Sequence, residues 1–97
     1  METRKEVNEP PSRFNLLMWA DLYKDLAETY PVWKKIDRSY ERAYEKLRQA
    51  EENARGSFLL LLLIWAETLR RHARAAEKHG LPDKAKALWE EAGKHTH

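Results

Sequence analysis

Hydrophobic residues recur along this chain in steps of three and four, the spacing of a helix seated on a neighbour, and they do so in four separate stretches. In the first, residues 13–29, Phe14, Leu17, Leu22, Tyr23, Leu26 and Tyr30 supply an inward stripe, which Leu16, Met18 and Trp19 widen beyond one face. Ser12 suits the N-cap, and Tyr30-Pro31 ends the helix, because the residue before a proline is driven out of helical geometry. The second stretch, 31–54, opens on Pro31 and repeats Trp33, Ile36, Tyr40, Ala43, Leu47, Ala50 and Ala54 as a narrow seam. Arg55-Gly56-Ser57 reads as a helix stop followed by a new N-cap. The third stretch, 57–79, starts with the run Phe58 to Ala66, apolar in every direction, and turns amphipathic where Leu69, Ala73 and Ala76 continue inward. Gly80 suits the C′ position and Leu81-Pro82 turns the chain. A short fourth helix, 82–92, then carries Ala85, Leu88, Trp89 and Ala92 up to Gly93.

This pattern predicts an all-α fold: an up-down helical bundle of three long helices plus a short fourth helix. Residues 1–12 read as a flexible N-terminal arm, 13–93 as a single helical-bundle domain and 94–97 as a frayed tail. At about 1.5 Å per residue the fourth helix spans only about 16 Å, less than half the length of the third, so it covers only the C-terminal half of its neighbour. Phe58, Leu59, Leu60, Leu61 and Leu62 then lack a full set of helical neighbours. Burying such side chains is worth on the order of 1.5–3 kcal/mol each, which predicts that something covers this end. The apolar surplus of Leu16, Met18 and Trp19 falls at the same end.

The run itself is far shorter than the roughly 20 apolar residues that cross a bilayer, and Arg55 and Glu67 bracket it, so no membrane span is expected. Eighteen basic and 16 acidic residues are interspersed to a net charge of +2 over 97 residues, which predicts neither a nucleic-acid nor a membrane partner. With no Cys there are no disulfides, thiolate metal sites or thiol nucleophiles. Met1 to Pro11 is charged and lacks the apolar core of a secretory signal, so the expected location is cytoplasmic, or a recombinant host for a designed chain.

Candidate chemistry is sparse. His72 and His79 stand two turns apart, about 10 Å, too far to share a zinc ion, and within the third helix neither has an acidic or histidine partner three or four residues away. Both read as bundle-flank or interface histidines, and no metal site or cofactor is expected. Asp37, Glu41 and Glu45 fall on the charged face of the second helix, where nothing is expected to desolvate them. Gly56, Gly80 and Gly93 serve as helix stops, leaving no phosphate-binding loop.

Several local resemblances bear on function. Arg74 and His79 form Arg-x-x-x-x-His, which resembles the ribonuclease motif of the HEPN superfamily of helical toxins and effectors; the resemblance implies RNA cleavage by these two residues. Trp19, Tyr23 and Leu26, at i, i+4 and i+7, look like a helix-in-groove ligand. Ala73, Gly80, Ala85, Trp89 and Ala92 follow the spacing of a tetratricopeptide-type hairpin over residues 66–93, without a second copy that would imply a peptide groove. The regular caps and saturated Glu/Lys/Arg faces resemble a computationally designed bundle. From the residues, the expected function is non-catalytic: self-association into a homo-oligomer through Leu16, Met18, Trp19, Phe58, Leu59, Leu61, Leu62 and Trp65. The alternative is a binding module that receives a hydrophobic helix or an apolar small molecule at the same surface, and a HEPN-like ribonuclease stands further off.

Overall fold

A computed structural model of the chain describes residues 13–53 and 59–94. The protein is all-helical there, with α1 over Arg13–Ala27, α2 over Trp33–Asn53, α3 over Leu59–Lys78 and α4 over Pro82–Lys94. The expected arm, the Ser12 cap, Ala54, the Gly56-Ser57 turn, Phe58 and residues 95–97 lie outside the described residues, as does the side chain of Phe14.

Each boundary has a local cause. The end of α1 tightens into i→i+3 bonds, with the amides of Glu28, Thr29 and Tyr30 donating to the carbonyls of Asp25, Leu26 and Ala27. The Thr29 hydroxyl also donates to the Leu26 carbonyl, at 2.7 Å. The helix therefore stops at Ala27, two residues short of the expected end, and α2 begins at Trp33 rather than Pro31, with the Val32 carbonyl accepting from Lys35 and Ile36. After α3, Gly80 adopts φ 76°, its amide bonds the Glu77 carbonyl, and the Leu81 amide bonds the Ala76 carbonyl. This is the Schellman arrangement, which needs a left-handed residue at C′. No atom lies within 4 Å of a Cβ built at Gly80, so a Gly80→Ala substitution meets only backbone strain. It is expected to cost about 1–2 kcal/mol in denaturant melts. Contrary to expectation, Gly93 does not end α4, which runs on through Lys94.

The core is continuous across the four helices, from Leu16, Leu17, Ala20 and Ala27 through Ile36, Tyr40, Ala43, Tyr44, Leu47 and Ala50 to Leu61, Trp65, Leu69, Ala73, Leu88 and Ala92. The expected seam of α2 faces inward over Ile36, Tyr40, Ala43, Leu47 and Ala50. On α1 the inward stripe is rotated from the expected one. The small residues Ala20 and Ala27 are fully buried, and Leu22 and Leu26 turn outward. The buried flank of α1 also takes in Lys24, whose ammonium reaches Asp21 at 2.7 Å. α1 packs chiefly on α2 and α3 chiefly on α4; α2 and α1 meet α3, and no backbone approach joins α1 to α4. No helix among the described residues is long and apolar enough to cross a membrane.

Candidate functional site

Two features stand out: an apolar outer surface formed by α1 and the start of α3, and a polar network around a histidine inside the core. The surface follows from the rotation of α1. At 100° per residue, Met18, Leu22 and Leu26 with Trp19 form a stripe opposite the buried Leu16, Leu17, Ala20 and Ala27, so α1 is apolar on two opposed faces. On α3, Leu59, Leu60 and Leu63 point away from the core. These seven side chains are between 42 and 67% exposed. Leu22 belongs to two neighbouring depressions and so links Met18 and Leu60 to Trp19 and Leu26, while Leu59 and Leu63 adjoin Leu60 within one turn of α3. One, of ≈ 280 Å³, lies between α1 and α3 against Leu17, Met18, Leu60 and Ile64. The other, of ≈ 290 Å³, runs along Trp19, Tyr23 and Leu26. The Lys46 ammonium sits 4.2 Å from the centroid of the Trp19 ring and flanks this surface with charge.

The residues expected to mediate association divide into layers. Met18, Trp19 and Leu59 are exposed, and Leu62 is half-buried. Leu16, Leu61 and Trp65 are buried within the chain, where they support the surface from beneath. Phe58 lies outside the described residues. Leu22, Leu26, Leu60 and Leu63 join the surface although the sequence analysis did not single them out as association residues. The signal was present in the apolar i, i+4, i+8 series 18, 22, 26, but it competed with an inward reading of Leu22 and Leu26.

The second feature corrects two expectations. His72 is not on a flank: it is fully buried. Its ring stacks on Tyr40, with centroids 4.5 Å apart, and on Trp33 at 5.5 Å. Nor is Asp37 a free surface carboxylate, since its Oδ1 lies 2.8 Å from His72 Nε2 and 3.8 Å from the Lys84 ammonium. The hydroxyl of Tyr44 lies 2.8 Å from His72 Nδ1. An ionised carboxylate only accepts, so Nε2 carries the proton and donates to Asp37, while Tyr44 donates to Nδ1. Both ring nitrogens are thereby satisfied, which is what allows a histidine in the core. Burial pushes the His72 pKa down to about 4, against the opposing pull of Asp37, so the imidazole is neutral near pH 7. Desolvation likewise holds the Tyr44 hydroxyl far above its usual range, and Tyr44 remains a proton donor.

A further cleft of ≈ 490 Å³ lies where α1 ends beside α3, and both Arg74 and His79 line it with Tyr30, Lys78 and Arg71. Both residues of the Arg-x-x-x-x-His pair therefore border one cleft. Arg71 is held by Glu67 at 2.9 Å and Glu28 at 2.8 Å. Glu67 in turn has its pKa lowered by the hydrogen bond from Arg71. Tyr40 forms part of the cleft wall, its pKa raised to about 12 by burial and by Glu28. Comparison of the chain with protein-family profiles, with curated proteins and with solved structures returns no match.

Proposed function

We propose that this chain is a non-catalytic association module, an up-down bundle that pairs with a second copy of itself through the outer face of α1 and the start of α3. The observation that carries the reading is the contiguous exposure of Met18, Trp19, Leu22, Leu26, Leu59, Leu60 and Leu63. Large apolar side chains exposed together in this way mark an interaction surface once the patch exceeds a few hundred Å². Candidate knobs and a hollow occur on the same helix: Leu59 and Leu63 are exposed within one turn of Leu60, which lines the depression with Leu22. A twofold pairing seats the knobs of each copy in the hollow of the other, as an isologous interface requires. The up-down order is supported by pairings that fit antiparallel neighbours: early α1 meets late α2 where Trp19 lies by Lys46, later α1 meets early α2 where the Ser39 hydroxyl reaches the Tyr23 carbonyl, and the start of α2 meets the end of α3 where Trp33 lies by His79.

Light scattering during size-exclusion chromatography across a wide dilution range tests the reading. The parent chain is expected to elute at twice its monomer mass of 11.5 kDa at high concentration. A Leu22→Glu, Leu63→Glu double variant should elute as a folded monomer, because both positions are solvent-facing. A parent that stays monomeric at every concentration removes self-association and moves the surface to a hydrophobic helix of another protein or an apolar small molecule.

A further inference from the structure

The carboxylates of Asp37 and Glu41 and the imidazole of His72 converge so that one donor atom of each lies within 4.8 Å of the others. Asp37 and Glu41 are four residues apart and share a flank of α2, while His72 arrives from α3. The convergence is electrostatically uneven. Asp37 has the His72 N–H and, at 3.8 Å, the half-exposed Lys84 ammonium. Glu41 has no hydrogen bond or ion pair among the described residues, yet its carboxylate stands beside another of like charge. Three donor groups thus converge beside one lysine ammonium.

We propose that Asp37, Glu41 and His72 bind a divalent first-row transition cation, zinc being the representative ion. The donor set fits this class: a neutral imidazole with two carboxylates suits Zn²⁺, whereas Mg²⁺ and Ca²⁺ favour all-oxygen shells. Three protein donors leave a fourth position for water. The ring of His72 is fixed by its stacking on Tyr40 and Trp33, so Nε2 is directed at the two carboxylates before any ion arrives. Ligation requires the proton to leave Nε2 and Nδ1 to become protonated. Tyr44, 2.8 Å from Nδ1, then changes from donor to acceptor and holds the ring in the metal-binding tautomer. Glu41 is exposed and Asp37 partly so, which gives the ion a route in from solvent. Lys84 is 41% exposed and free to swing into water once the ion supplies the charge.

The probe is Zn²⁺ in competition with a chromogenic chelator, with Co²⁺ absorption reporting the ligand field. Because His95 and His97 offer a rival site, the full chain carrying His95→Ala and His97→Ala serves as the reference. It should bind one equivalent and give a visible Co²⁺ band. Adding Glu41→Gln should weaken Zn²⁺ at least about tenfold and diminish that band, with the helical circular dichroism unchanged because Glu41 is exposed. Asp37→Asn is the second variant and should weaken binding in the same way. If the reference fails to bind Zn²⁺, or if Glu41→Gln and Asp37→Asn bind as tightly as it does, the site does not exist.

Discussion

Lowering the pH from 7 to 4 is expected to destabilise the folded chain by about 3 kcal/mol through His72 alone. The unfolded imidazole takes up a proton near pH 6.5, whereas the folded one resists until about pH 4. Between those values the unfolded state binds more protons, so stability rises with pH there. The contribution is complete above 6.5 and is lost as the pH falls towards 4. Urea melts at unit pH intervals should show a slope approaching about 1.4 kcal/mol per pH unit inside this window. Glu67, whose pKa is lowered by Arg71, begins to give up its contribution only as the pH enters the ordinary carboxylate range, so the histidine effect stands apart from it in the upper part of the window. A profile flat between pH 6.5 and 4.5 would show that His72 is as protonated in the folded chain as in the unfolded one. That result would also contradict its burial between Tyr40 and Trp33.

The second large effect contrasts two positions within one turn of the same leucine run. Leu61→Glu places a carboxylate at a site 3% exposed, next to the core formed with Trp65 and Leu69. A buried unpaired charge added to the loss of a core leucine exceeds about 4 kcal/mol, a large part of the stability of a domain this size. The variant should lose its cooperative thermal transition. Leu59→Glu, at a site 67% exposed, should keep the parent's monomer stability to within about 0.5 kcal/mol and weaken only association. Circular dichroism melts at low concentration, beside light scattering at high concentration, check both. Equal damage from the two substitutions would mean that the run is enclosed on all sides within one chain.

That contrast marks how far the sequence could be read. The seam of α2 was legible because large residues at a strict three-four spacing leave one possible inward face, and Gly80 was legible because a glycine between an alanine-rich helix and Leu81-Pro82 has little else to do. The face of α1 was not. Ala20 and Ala27 define it by being small, and a search for large apolar residues passes over them in favour of Leu22 and Leu26. The four-helix composition of the fold was therefore readable, while the rotation of one helix, which decides what is left outside, depended on how closely two backbones approach.

The histidine network was hidden for a different reason. Spacing within a helix tests only partners three or four residues away, and for His72 those places hold Thr68, Leu69, Ala75 and Ala76. Its partners Asp37 and Tyr44 come from α2, 35 and 28 residues earlier in the chain. A hint was available in the seven-residue step from Asp37 to Tyr44, which puts both on one face of α2, but nothing local says which residue of α3 will sit between them. The Arg74 and His79 pair shows the complementary limit: the motif is visible in the sequence, and only the structure brings both side chains to one cleft.

The two ends of the helix array are unlike. α1 turns an oily face to solvent, whereas the outer side of α4 carries Asp83, Lys86, Glu90, Glu91 and Lys94 and has no large exposed hydrophobic residue. An array with one adhesive end and one inert end has no means of growing. Under the proposed self-association, two adhesive ends that meet would leave an α4 facing outward on each side, so the expected assembly is a closed pair and not a fibre.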